Sequence, residues 1–187
     1  MNIHYMNILS ELDISLLGFL SEKPMHGYEL HRKVSDFSGY GIVWKLKIGK
    51  LYNMLNKLND TGLVSVENYQ EGNRPIRNEF SITKEGRKVF HNWLDQPVLH
   101  GREFRNFFML KLFFSMKKSN KEALRLIEKQ IEECVNWKTM LVQTENDNQE
   151  SPESLKFHVV VNNYRIKQIE ADIEWLNWCM KEFSEEI

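Results

Sequence analysis

Three lysines, Lys45, Lys47 and Lys50, crowd the start of a stretch that reads WKLKIGKLYNMLNKLND over residues 44–60, and Asn53, Asn56 and Lys57 follow at helical spacing. These side chains offer positive charge and hydrogen-bond donors, which suit phosphate oxygens and the edges of nucleic-acid bases. Acid–base or nucleophilic catalysis would instead need grouped carboxylates, thiols or imidazoles. The start of a helix already presents partial positive charge from its unpaired amides, so acids rather than lysines stabilise it. Lysines placed there imply an anionic partner that offsets their cost, and the alternative is an ordinary solvated basic face. Between residues 31 and 57 six Lys or Arg (Arg32, Lys33, Lys45, Lys47, Lys50, Lys57) stand against one acid, Asp36, a local charge of +5 in a chain whose net charge is -1. Such clustering is the electrostatic footprint expected of a phosphate-binding face.

Nothing else gathers chemistry in this way. There is no HExxH, P-loop, G-x-S-x-G or Gly-rich dinucleotide turn, so the chain does not read as an enzyme. His4, His26, His31, His91, His100 and His158 show no ligand spacing, and Cys134 and Cys179 form no CxxC. No metal, cofactor or disulfide framework is therefore expected. The most apolar run, residues 107–114, is short and holds Lys111, and no basic-then-apolar leader is visible. Those features point away from a membrane span and toward the cytoplasm.

The elements that position the basic face can be read in order. Residues 8–20 place Ile8, Leu9, Leu12, Leu16, Leu17 and Leu20 on one helical side, and Pro24 ends that helix. A second helix is expected over 27–38, with Tyr28, Leu30, Val34 and Phe37 inward and Gly39 and Gly41 at its end. The third, 44–60, buries Ile48, Leu51, Tyr52, Leu55 and Leu58 and turns Gly49, Lys50, Asn53, Asn56 and Lys57 outward. Three short helices of which the last bears the exposed basic face make a helix-turn-helix. Residues 63–69 and 76–82 alternate as two strands of a hairpin, with Arg74 and Arg77 near its tip in reach of phosphates or a minor groove. Thr83 then caps a helix over 84–94.

HGYEL at 26–30, IGKLYNML at 48–55, DTGLV at 60–64, NRPIRNEFSITKEG at 73–86 and Trp93-Leu94 stand in an order that resembles the PadR-type winged-helix transcription regulators. The resemblance implies that 48–58 enters a major groove and that the hairpin is the wing. Gly49, Leu51, Tyr52 and Leu55 match the family's G-x-LY-x-x-L, and Arg74-Pro75 matches the wing's RP. The chain departs from the pattern at Lys47 and Ile48, where relatives commonly carry Pro or Ser, and at Asn53, where they carry a small residue.

Residues 95–101, with Pro97 and Gly101, read as a boundary, beyond which the pattern is helical over 102–117, 119–144 and from Pro152 onward. Ser119 and Glu122 form a capping box, and Ser151 is placed to cap the last helix. In that helix Leu155, Val159, Asn162, Ile166, Ile169, Ile173, Leu176, Met180 and Phe183 recur at gaps of three and four. A seam of this period with one polar member suits a coiled-coil contact with a second copy, or packing within the chain. The layout resembles the virulence-activator type of C-terminal half, in which relatives dimerise. Trp175 and Trp178 flank the seam and could line a pocket for a flat aromatic effector.

The expectation is a mainly α chain with a small β-hairpin, built from an N-terminal winged helix-turn-helix (1–96) and a C-terminal three-helix dimerisation region (97–187). It would bind double-stranded DNA as a homodimer and act as a repressor, with release by a small aromatic effector as an added possibility. Lys45, Lys47, Lys50, Arg74 and Arg77 would hold phosphates, and Asn53, Asn56 and Lys57 would face bases. Asn162, Ile166, Ile169, Ile173, Leu176 and Met180 would join the two copies. The competing reading is a protein-interaction module on a winged-helix scaffold that does not bind DNA.

Overall fold

The structure is a computed structural model and describes residues 9–36, 40–43, 45–69, 77–144 and 152–185. The chain divides into two compact units, one formed by residues up to Gln96 with Asn106–Phe114, the other by Pro97–Arg105 with the chain from Ser115 onward.

In the first unit α1 (Glu11–Leu20) opens on a complete capping box. The Ser10 amide donates to Asp13 Oδ2 at 2.8 Å and the Asp13 amide donates to Ser10 Oγ at 3.2 Å. That box starts the helix later than the expected residue 8, and Leu9 is buried ahead of it. A strand the sequence reading missed, β1 (Met25–His26), precedes α2 (Gly27–Val34), so the expected hairpin is a three-stranded antiparallel sheet in the order β1-β3-β2. Two residues carry no periodicity of their own; Met25 becomes a strand only by pairing with Phe80.

The second helix thus ends earlier than residue 38, and a short turn of helix, α3 (Tyr40–Val43), includes Gly41 where a simple stop was expected. Phe37, Ser38, Gly39 and Trp44 lie outside the described residues. Tyr28, expected inward, is 69 % exposed. α4 (Ile48–Asp60) begins four residues later than the expected 44, leaving residues 45–47 as a non-helical lead that ends on an extended Lys47. Gly62 closes it at φ 72, a left-handed conformation open to glycine. β2 (Val64–Tyr69) and β3 (Arg77–Ile82) pair from Val64 with Ile82 to Tyr69 with Arg77, and Thr83 Oγ1 accepts from the Gly86 amide at 3.0 Å to start α5 (Lys84–Leu94).

The core joins α1, α2, α4 and α5 to the sheet through Leu16, Leu30, Leu51, Leu55, Phe80 and Trp93. Residues 106–114 belong to that core as well. Phe114 meets Phe19 and Phe90 edge-on at 5.1 and 5.3 Å, against Gly18, where even a methyl group would strike the Phe114 ring at 2.5 Å. Lys111 is buried with them, and its Nζ donates to the carbonyls of Trp93 (2.7 Å) and Gln96 (2.9 Å) while lying 4.7 Å from the Trp93 ring centroid. A cation at those carbonyls satisfies the end of α5. Burial nonetheless pushes its ammonium down to about 8.

The expected single helix over 102–117 is a 3-10 turn (Gly101–Glu103), a π turn (Phe104–Phe108) and then α6 (Met109–Lys118). In the second unit α7 (Asn120–Thr144) packs along α8 (Pro152–Glu185). The capping box at Ser119 closes on one side only. Its Oγ accepts from the Glu122 amide, but its own amide is taken by the Ser115 carbonyl and Glu122 pairs with Lys118. Ser151 lies outside the described residues. Gln130 clamps the backbone of Val98, accepting its amide at 2.7 Å and donating to its carbonyl at 3.1 Å. Lys138 joins α7 to α8 through Glu170 at 2.8 Å, and with Lys167 holds that carboxyl down at about 2.

Candidate nucleic-acid interface

α4 buries Leu51, Met54, Leu55 and Leu58. Ile48 and Tyr52, expected inside, sit at the margins of that stripe and are partly exposed. Tyr52 is held by close approach: its ring lies on Gly27, where a methyl group would meet it at 2.6 Å, and it stands 6.4 Å from Phe80. The glycine of HGYEL and the tyrosine of KLYN are therefore partners across two helices. The other side of α4 is as read: Gly49, Lys50, Asn53, Asn56 and Lys57 are all exposed.

The helix start keeps its unusual electrostatics, with no acid in the first turn and no side-chain cap from Lys47. Residues 45–47 lead into it with Leu46 buried between exposed Lys45 and Lys47. That alternation aims the two lysines away from the core. Their backbone is pinned by a contact with no signal in local sequence: His31 Nε2 donates to the Leu46 carbonyl at 2.8 Å, across fifteen residues. Farther back, the Gly41 amide donates to the Asp36 carbonyl at 3.0 Å.

The local count of +5 overstates the charge on offer, because acids from elsewhere in the unit answer part of it. Lys33 pairs with Glu22, and Lys57 Nζ stands 3.7 Å from the buried Asp13 carboxylate that caps α1. Lys57 is thus anchored toward α1 as well as exposed. Arg74 lies outside the described residues, as does the side chain of Arg77, whose backbone begins β3.

In the second unit part of the seam of α8 is buried within its own chain and part of it is open. Asn162 is 6 % exposed, Ile169 6 % and Leu176 0 %, with Ile166, Ile173 and Met180 half-buried. A repeat of three and four fits an intramolecular helix pair as well as an intermolecular one. Among the described side chains of α8, the large apolar ones left exposed are Phe157, Val159, Val160, Tyr164 and Trp178. Trp175 turns edge-on to Phe104 at 6.2 Å, so the two tryptophans flanking the seam differ: one is packed and Trp178 is exposed. The sequence reading passed over Trp137, whose indole N–H is buried without a hydrogen-bond partner among the described residues.

Cys134 and Cys179 are buried and unpaired, and burial pushes their thiols up to about 12 and about 11, away from nucleophilic use. Among the described residues no group of three or more His, Cys, Asp or Glu is placed to hold a metal ion, and no helix is long and apolar enough to cross a membrane.

Residues 16–92 match the transcriptional regulator PadR-like family, and residues 104–184 match the virulence activator alpha C-terminal family. The negative transcriptional regulator PadR of Bacillus subtilis is 27% identical over 123 residues, which are 65% of this chain and 65% of that relative's length. Among solved structures, Bacillus subtilis PadR in complex with operator DNA aligns with 21% identity and a TM-score of 0.45, covering 90% of this chain and 97% of that one. The same protein in complex with p-coumaric acid aligns with 20% identity and a TM-score of 0.41, covering 94% and 99%. The two family matches fall in succession, so the chain carries a PadR-like transcriptional regulator domain over residues 16–92 followed by a virulence-activator-type C-terminal domain over residues 104–184.

Proposed function

We propose that this regulator binds specific duplex DNA as a homodimer and represses transcription, with α4 lying in the major groove. Lys45, Lys47 and Lys50, with Arg74 and Arg77 of the wing, hold phosphates; Asn53, Asn56 and Lys57 face base edges. The observation that carries this is the outer face of α4: a helix whose polar side chains are exposed together, whose first turn holds no acid, and whose start is flanked by exposed lysines. Residues 1–96 do the reading, with 106–114 completing their core, and residues 97–187 hold the pair together. Phe157, Val160 and Tyr164, spaced three and four apart on α8 and all exposed, are the apolar face we assign to the second copy.

Mobility shift against its own upstream region, repeated over a range of salt, tests the reading. Each phosphate lysine replaced by Ala weakens binding to all sequences alike and lowers the log–log salt slope by about 1. A slope unchanged in Lys50→Ala removes that residue from the interface, and no shift at moderate salt favours the protein-interaction alternative.

A small aromatic effector is the second part of the proposal, and Trp137 rather than Trp178 favours it. A buried indole N–H with no partner costs about 1–3 kcal/mol, which an acceptor oxygen on a bound molecule would offset. Phenolic acids that release operator DNA from the wild-type protein and fail to release it from Trp137→Phe support this; equal release from both rules it out.

A further inference from the structure

A glycine inside a helix costs stability relative to alanine, so each one invites a reason. In the first unit the reasons are mostly internal. Gly18 faces the Phe114 ring at 2.5 Å, Gly27 the Tyr52 ring at 2.6 Å and Gly41 the Asp36 carbonyl at 2.7 Å, each distance being what an added methyl would meet; Gly86 lies against the Leu63 carbonyl, and Gly62 has φ 72. Gly49 has none of these. It lies in the first turn of α4, does not have a positive φ, is exposed, and a methyl group there would meet nothing within 4 Å. Nothing in its own chain asks for the missing side chain.

Its surroundings say what does. Gly49 lies between exposed Lys47 and Lys50, and Asn53 follows one helical turn later on the same face. It is a flat spot in the middle of the donors, the place where the backbone of the helix itself is open to a partner. We propose that Gly49 is the point of closest approach between this chain and duplex DNA, the absent side chain letting the sugar-phosphate edge of the groove come into van der Waals contact with the backbone of α4. The proposal rests on the DNA-binding reading above and names where that site is sterically limited. A side chain at 49 holds the helix off the duplex, lengthening the contacts of the short asparagines on the same face, while the long flexible lysines still reach their phosphates.

Gly49→Ala, Gly49→Leu and the wild type are compared by thermal melting and by operator binding over a salt series. The expected result is opposite signs. Gly49→Ala melts at the same temperature as the wild type or about 1–3 °C above it, since alanine favours the helix and clashes with nothing internal. Its operator binding falls about tenfold, and that of Gly49→Leu falls further, with a salt slope equal to the wild type because no phosphate lysine is lost. An unchanged slope separates this steric effect from loss of charge, which Lys50→Ala shows. Wild-type binding together with equal binding by Gly49→Ala overturns the inference and leaves the DNA reading intact. If the wild type itself binds no duplex, the DNA reading falls and this inference falls with it.

Discussion

Helix α4 buries leucines and leaves Lys50, Asn53 and Asn56 exposed; helix α8 buries Asn162, Ile169 and Leu176 and leaves Phe157, Val160 and Tyr164 exposed. The two surfaces left over ask for different partners. A polar, lysine-flanked face gains little by covering another protein's apolar patch, whereas exposed aromatic and aliphatic side chains gain by leaving water at about 25 cal/mol per Å². Helical periodicity locates the buried stripe in both. It does not say which molecule supplies the cover, and at α8 part of the cover comes from the same chain.

The largest effect that sharpens this contrast is at Leu176. If its burial is internal, Leu176→Ala opens a cavity and costs about 2–5 kcal/mol of stability at every protein concentration, measured by denaturant unfolding. Phe157→Glu, on the exposed face, should leave monomer stability within about 1 kcal/mol and shift the dimer to monomer in sedimentation. The reverse pattern would return the seam to the intermolecular role.

The next concerns the buried cation of the first unit. Lys111 titrates at about 8 when folded and near 10.5 when unfolded, so the unfolded chain holds this proton more tightly. Its contribution to stability is therefore lowest below about pH 8, rises between pH 8 and 10.5, and is complete above that. The difference in unfolding free energy between wild type and Lys111→Met should grow in favour of the wild type by on the order of 3 kcal/mol across that window. A difference that stays flat with pH means Lys111 is not desolvated as described.

The smallest expected effect tests how the basic face is held. His31→Ala removes the hydrogen bond to the Leu46 carbonyl and should weaken operator binding about fivefold, roughly 1 kcal/mol, with His31→Gln recovering most of it. Equal binding by all three would show that residues 45–47 need no pin.

Much of the first unit was legible because its signals are local. The Thr83 cap, the alternating strands and the stripe Leu51, Leu55, Leu58 each lie within one turn or one strand, where spacing alone dictates the face. The outward set Gly49, Lys50, Asn53, Asn56 and Lys57 followed from the same spacing. Tyr28 was misplaced because a tyrosine at an apolar position says nothing of whether a core reaches it. Apolar residues all round 107–114 required cover, but no spacing could state that Phe19, Phe90 and Trp93 provide it.

The sequence by itself determined the longer helices and the two hairpin strands, which side of α4 carries charge, and the family those motifs resemble, since all of these depend on residues a few positions apart. Tertiary structure alone decided that Met25 pairs with Phe80, that His31 holds Leu46, that Asp13 answers Lys57 and that α7 packs along α8. Each of those joins positions distant along the chain, and their energies arise only when packing brings the two groups within a few ångströms.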